Sequence, residues 1–342
     1  MNSQQKRSRP SMADVAALAN VSVGTVSRHL TGRGYVGADA RQRIQSAVDE
    51  LGYRPNLVAR NLRTQTTNTI GVLSMGPLDF GSSSVLSGLD DASRQAGYGL
   101  ITAQLPHDLD DPRAPAEIER AAGRLLAHQV DGIVLASPYP GFEDLWDELL
   151  NTIPFVTLSN HPRQEVGATY VDSYAAGRLA TEHLVDLGHR AILHVRGPRN
   201  LHESSDRERG YRDVVDAAGI DAQVTVPCED WSSTSGYRIG RLPIEGRWTA
   251  AFCANDAIAL GFQHAMYERG LSAGRDYSVI AIDDMPDAAH FHPPLTTVAL
   301  DHLELGRSAF RMILEHLRTG SPAANTVIEP ALVRRESAVP PA

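Results

Sequence analysis

From position 69 onward, short apolar runs alternate with stretches of helical periodicity, and this alternation limits the possible folds more than any other feature. Strand patterns occupy 69–75, 100–104, 132–136, 155–158, 191–195, 250–253 and 279–282. Helical patterns fall between most of them, at 85–96, 116–128, 174–187, 208–218, 257–269 and 303–318. A strand, a helix and another strand in succession require crossover connections, which build parallel sheets covered on both faces. About 270 residues are more than one sheet organises comfortably, so two doubly wound parallel sheets are expected. Ligands in such folds sit beyond the carboxyl ends of the strands, which directs attention to polar residues there.

The first 63 residues differ in charge from the rest. They carry ten basic and four acidic residues, a net of +6 within a chain of net charge -9. A small positive head on a large negative body suggests that the head alone meets a polyanion. The balance of 42% hydrophobic and 21% charged residues is that of a globular protein. No apolar run approaches the ~18 residues of a membrane span. The opening MNSQQKRSRP is basic but lacks the apolar stretch of a secretory signal, so a soluble, cytoplasmic protein is expected. Cys228 and Cys253 have no metal-ligand spacing, and neither a metal nor a cofactor is expected.

Within the head, Ser11 stands three residues before Asp14, a capping-box spacing. Val15, Ala16, Leu18 and Ala19 then share an apolar helical face. Asn20-Val21-Ser22 interrupts the pattern, and Ser22 can cap a second helix, 23–30, on which Val23, Val26 and Leu30 share a face. Two short helices joined so tightly form a helix-turn-helix unit. A third helix, 39–51, turns Ile44, Ala47, Val48 and Leu51 inward. The second helix is the one to enter a major groove, with Val23, Gly24, Thr25, Arg28 and His29 able to reach base edges. Arg28 can make a bidentate contact with guanine or hold a phosphate. The run 32–37 fits G-x-G-x-x-G, but no strand precedes it, so it is a loop rather than a dinucleotide fingerprint.

The segments SMADVAALANVSVGTVSRHLTG and VGADARQRIQSAVDELGYRPNLVARNLRT resemble the head of the lactose/galactose repressor (LacI/GalR) family of bacterial transcription regulators. The resemblance implies double-stranded operator DNA as partner, contacted by Ser11, Ser22, Val23, Gly24, Thr25, Ser27, Arg28, His29, Asn56, Ala59, Arg60 and Leu62. It also implies a hinge helix after Pro55, too short to be stable alone, with Leu62 as a minor-groove wedge.

The body resembles the same family in IGVL (70–73), VDGIVL (130–135), GRLATEHLVDLGHRAILHVRGP (177–198), FCANDAIALG (252–261), DYSVIAIDD (276–284) and PPLTTV (293–298). The implied architecture is an all-α helix-turn-helix head plus an α/β two-lobed periplasmic-binding-protein-like body. Its domains would be 1–54 for the head, 55–68 for the hinge and linker, and 69–342 for effector binding and dimerisation. The N-lobe would take about 69–170 and 300–328, and the C-lobe about 171–299 and 329–342. The implied effector contacts are Phe80, Ser82, Asp172, Arg207, Trp231, Asn255 and Asp283, with Asp284 in support. A guanidinium fork suits vicinal hydroxyls or a carboxylate, which favours ligand contact for Arg207 over a surface salt bridge with Asp206 or Asp213. An indole offers the apolar platform that a sugar ring prefers.

The resulting expectation is a ligand-responsive regulator, a repressor released from a pseudo-palindromic operator by a small sugar-like effector. A homodimer is expected, since the tail carries prolines and no heptad repeat. The missing secretory signal excludes a secreted solute-binding protein, which leaves two alternatives: a corepressor with a non-sugar effector, and a carbohydrate-processing enzyme using Asp283 with Asp284 or Glu203 with Asp206. The last lacks a nucleophile elbow, zinc motif or phosphate loop, and Glu203 weighs against an anionic effector while Arg207 and Arg199 weigh for one.

Overall fold

The computed structural model describes residues 10–32, 34–54, 66–76, 78–105, 113–136, 153–159, 166–199, 201–244 and 246–341. The chain divides into two compact units, Met1–Thr67 and Asn68–Ala342. Among the described residues, no helix is long and apolar enough to cross a membrane.

Among its described residues the first unit is all-α: α1 (Met12–Leu18), α2 (Val23–Thr31) and α3 (Ala38–Leu51). Ser11 Oγ accepts from Asp14 N at 3.3 Å and Asp14 Oδ2 accepts from Ser11 N at 2.7 Å, closing the capping box that starts α1. Between α1 and α2 the backbone turns left-handed at Asn20, φ 52°, a conformation that asparagine tolerates better than most residues. The core comprises Val15, Ala16, Ala19, Val26, Val36, Ile44, Ala47 and Tyr53. Leu18, expected on the apolar face, is 47% exposed instead, and Val23, which shares the apolar spacing of α2 but was also read as a base contact, is exposed to the same degree. The buried stripe of α1 runs through Val15, Ala16 and Ala19, with Leu18 beyond its edge. Val23 is the first residue of α2, ahead of the turn that buries Val26.

Among its described residues, the second unit forms two six-stranded sheets. The first is built from β1 (Thr69–Met75), α4 (Phe80–Ala96), β2 (Gly99–Leu105), α5 (Ala114–Ala127), β3 (Gly132–Ala136), β4 (Phe155–Thr157) and β5 (Gly167–Val171). The chain then passes into the second through α6 (Ser173–Asp186), β6 (Ile192–Val195), α7 (His202–Ala217), β7 (Gln223–Val224), α8 (Ser233–Arg241), β8 (Ala250–Cys253), α9 (Asp256–Glu268), β9 (Ser278–Asp283) and β10 (Thr296–Ala299). It returns through α10 (His302–Thr319) to β11 (Thr326–Ile328) and ends in β12 (Ala331–Val333). The strand orders are β2-β1-β3-β4-β5-β11 and β7-β6-β8-β9-β10-β12. Among the described residues, every pairing is parallel except β10 with β12. The central strands are mostly apolar, as both-face coverage requires; every residue of β9 is buried.

Helix α10 packs along α4, where Gly88 and Gly306 let the backbones meet. A Cβ at Gly88 would lie 2.0 Å from Leu303 O, and one at Gly306 would lie 2.1 Å from Val85 O. Two helices begin earlier than their periodicity suggests. Asp79 and Ser82 form a capping box that starts α4 at Phe80 rather than 85, and α7 starts at His202 rather than 208. Helix α8, with few large apolar residues, is an addition to the expected elements, as are the short strands β5, β7, β10, β11 and β12.

Candidate functional site

A cavity of about 150 Å³ opens between the two sheets of the second unit. That size admits a molecule of roughly one six-membered ring. One wall is largely apolar: Val72 and Met75 from β1, Val85, Leu86 and Leu89 from α4, and Leu305 from α10. The facing wall is polar, with Glu203 and Arg207 on α7, Trp231 before α8, Asn255 ahead of α9 and Asp283 at the end of β9. Its polar residues cluster beyond β8 and β9, where a parallel sheet leaves backbone groups and helix starts facing the crevice.

Arg207 is the centre of the polar wall. It is only 4% exposed. Its Nη1 donates to Ala254 O at 2.7 Å, and its Nη2 lies 3.5 Å from Asp283 Oδ1. Its guanidinium carbon sits 5.0 Å from the centre of the Trp231 ring, within cation–π range. Its Nε is buried with no hydrogen-bond partner among the described residues. The neighbours that might have claimed Arg207 are engaged elsewhere. Asp206 Oδ1 pairs with Arg209 at 2.9 Å, and Asp213 accepts from the Tyr174 hydroxyl at 2.7 Å.

Asn255 caps α9, accepting from Ile258 N at 2.8 Å, and its Nδ2 donates to Trp231 O at 3.3 Å. One residue thereby ties the indole loop to the helix start. Asp283 and Asp284 both hold positive φ, 123° and 53°, a conformation that strains residues with a side chain. Arg335 Nη2 grips Asp284 Oδ1 at 2.7 Å, while His302 Nε2 and Arg207 flank Asp283. Behind them, Asp256 accepts from Thr297 Oγ1 at 2.6 Å and Met285 N at 2.8 Å. Burial, with Asp283 nearby, pushes its carboxyl up to about 8. Burial also holds Glu203 above the usual carboxylate range; Arg207 opposes the rise, and Asp79 adds to it.

Five of the seven expected effector residues line this cavity: Ser82, Arg207, Trp231, Asn255 and Asp283. Phe80 and Asp172 are not among the lining residues. Phe80 lies edge-on to His302 with ring centres 6.1 Å apart, and Asp172 caps α6 by accepting from Ala175 N at 2.8 Å. Asp79, His302 and Leu305 line the cavity without having been expected. The sequence did hold a signal for Asp79, three residues before Ser82 at a helix start, and for His302, which closely follows a strand. In each of the carboxylate pairs that an enzyme reading invoked, one member is engaged by an arginine, Asp206 by Arg209 and Asp284 by Arg335. Among the described residues, no group of His, Cys, Asp and Glu is placed to hold a metal.

In the first unit, Ser22 Oγ accepts from Thr25 N at 3.1 Å, capping α2. Arg28 lies back along that helix, its Nε donating to Gly24 O and its Nη2 to Thr25 Oγ1, both at 3.3 Å. Val23, Gly24 and Arg28 are exposed, while Thr25, Ser27 and His29 are half-buried. Ser11 and Ser22 therefore act as helix caps, whatever else they touch. Asn56, Ala59, Arg60 and Leu62 lie outside the described residues.

Comparison with known proteins matches residues 11–56 to the description "Bacterial regulatory proteins, lacI family" and residues 181–338 to "Periplasmic binding protein-like domain". The ribose operon repressor of Haemophilus influenzae is 31% identical over 333 residues, 95% of this chain and 98% of that protein. The HTH-type transcriptional repressor PurR of Vibrio atlanticus is 33% identical over 318 residues, 89% of this chain and 91% of that one. Among solved structures, a lac repressor dimer bound to operator and the anti-inducer ONPF superposes with a TM-score of 0.86 at 27% identity, covering 96% of this chain and 99% of that one. These relatives are named as repressors rather than enzymes. Likeness that extends from the capped helices of the head to the strands of the second sheet, at 31% identity across almost the full length, means that the chain belongs to the lacI family of bacterial regulatory proteins.

Proposed function

We propose that this chain is a repressor of carbohydrate-utilisation genes that releases its operator when a small sugar-like molecule enters the cavity between the two sheets. The observation that carries the reading is Arg207: a buried guanidinium, fixed by Ala254 O and stacked on Trp231, whose Nε faces no partner among the described residues. A fixed cation beside an aromatic platform in a cavity wall is a pairing that a hydroxylated ring exploits. The ribose named in one relative supports a sugar effector.

Two heads on a homodimer would read a pseudo-palindromic site, as two-fold proteins read two-fold DNA. The operator-bound lac repressor dimer supports this arrangement. The exposed start of α2 would contact bases, and residues 55–68 would form a hinge with Leu62 as the wedge that kinks the duplex. Phe80 and Asp172 would serve the site indirectly, through His302 and the start of α6. The effector acts by binding one state more tightly than the other, with ~1–3 kcal/mol of coupling.

The test uses the full chain, duplexes selected from a random library, and a sugar panel. Arg207→Ala is expected to retain operator affinity within about threefold while losing the sugar-induced release, a drop of ~10-fold or more in the natural chain. Release that survives in Arg207→Ala overturns the assignment of the cavity. Failure of the natural chain to prefer any duplex over random competitor overturns the regulator reading.

A further inference from the structure

The cavity contains the parts of an anion site. Helix α7 starts there, and its N-cap, Leu201, offers no side-chain acceptor to the first N–H groups. Leu201, His202 and Glu203 all line the cavity. The start of a 16-residue helix attracts negative charge, and Arg207, one turn further on, is 96% buried with an unpartnered Nε. A phosphate would ordinarily be welcome between them.

Glu203 occupies that position. It stands in the first turn of α7, half-buried, with no hydrogen bond or ion pair to any described residue. Its carboxylate supplies the negative charge that the helix start would otherwise draw from a ligand. The remaining charges offer an incoming anion no relief. Arg207 Nη2 and His302 Nε2 both face Asp283 Oδ1, at 3.5 and 3.4 Å. Asp79 adds a third carboxylate among the lining residues, its oxygen held by Ser82 N at 2.9 Å.

We propose that Glu203 sets the charge class of the ligand: the cavity accepts an uncharged or amine-bearing hydroxylated ring, whose donors meet this carboxylate, and rejects phosphorylated and carboxylated ones. Burial holding the Glu203 carboxyl above its ordinary range agrees with this, because a site already hostile to one negative charge is more hostile to two. The proposal rests on the cavity being the effector site, and it makes Glu203 a specificity-determining residue of that site.

Inorganic phosphate is the probe, added to the full chain in phosphate-free buffer and read by calorimetry and thermal melting. The natural chain is expected to bind it at least ~10-fold more weakly than Glu203→Gln, which uncovers the helix start and Arg207. Glu203→Gln combined with Arg207→Ala is expected to lose the gained binding. Glu203→Ser provides the same test should Glu203→Gln melt early. Phosphate binding equally to the natural chain and to Glu203→Gln overturns the proposal. So does its failure to bind either Glu203 variant, or a phosphorylated sugar that stabilises the natural chain. Operator binding is read separately on the same preparations by fluorescence anisotropy with a library-selected duplex. A natural chain that binds phosphate yet still binds operator refutes the charge rule alone. One that excludes phosphate but ignores DNA refutes only the regulator reading.

Discussion

Gly197 is where the indole wall can be tested by one added methyl group. A Cβ there would fall 2.7 Å from both Cη2 and Cζ3 of Trp231 and 2.8 Å from Ser204 Oγ. Carbon atoms in ordinary contact sit about 3.5–4.0 Å apart, so the ring must retreat by roughly 1 Å. The serine hydroxyl can rotate away, but the indole is held: Arg207 covers its ring, and its own carbonyl accepts from Asn255 Nδ2. Overpacking of this kind costs about 1–3 kcal/mol, or about 2–4 °C of melting temperature per kcal/mol for a unit of this size. The informative experiment is a double-mutant cycle. Gly197→Ala is made in the natural chain and again in Trp231→Ala, where the obstructing ring is gone, and both are followed by denaturant titration. The cost is expected to fall below about 0.5 kcal/mol in the second background. Equal costs in the two backgrounds would refute the claim that Gly197 exists to seat the indole.

Three further outcomes are expected. His194 lies stacked against Tyr211 and Phe252, with Nδ1 3.0 Å from Phe252 O, and burial lowers its pKa to about 4. The unfolded chain takes up that proton near pH 6.5, so stability is full above ~6.5 and declines by up to about 3 kcal/mol as pH falls toward 4. Denaturant midpoints for the natural chain and His194→Gln across that window check it, and parallel slopes would contradict it. Asp256 has the opposite sign: its folded pKa of about 8 exceeds the unfolded value, so its contribution is full below ~4 and is lost as pH rises through 8. Asp256→Asn should therefore gain at least about 1 kcal/mol relative to the natural chain between pH 6 and 9, measured the same way. Operator affinity should fall at least ~10²-fold between 50 and 200 mM salt as phosphate contacts release counterions. A flat response in anisotropy titrations would remove the basic head as the binding surface.

The doubly wound body was legible because its signal is dense: a buried parallel strand such as β9 must be apolar on both faces, so it stands out as a continuous run. Elements whose stability comes from contacts distant in sequence were not legible. The first turns of α4 carry Gly81, Ser82, Ser83 and Ser84, a poor helical stretch that starts because Asp79 and Ser82 cap it. β11 and β12 have three residues each and exist because β5 and β10 offer open edges. In the head, hydrophobic periodicity correctly marked Val26 and Ile44 but over-assigned Leu18 and Val23, since a face drawn from spacing alone does not show where the neighbouring helix ends.

The site divides along the same line. Arg207, Asn255 and Asp283 could be named one at a time, yet their chemistry lies in contacts across long sequence separations. Arg207 meets Ala254 O over 47 positions, and His302 meets Asp283 over 19. Those contacts follow from sheet order: β6, β8 and β9 are neighbours, so the turns leaving them open side by side. The backbone at Asp283 and Asp284 fits this account, because positive φ at two successive residues with side chains is uncommon. Compensation comes from Arg335, 51 residues away, through its bond to Asp284, and from Thr297, whose hydroxyl accepts from Asp284 N at 3.4 Å and donates to Asp256. Asp283 is thus aimed into the cavity by groups that touch no ligand, which is why its orientation could not be read from the residues around it.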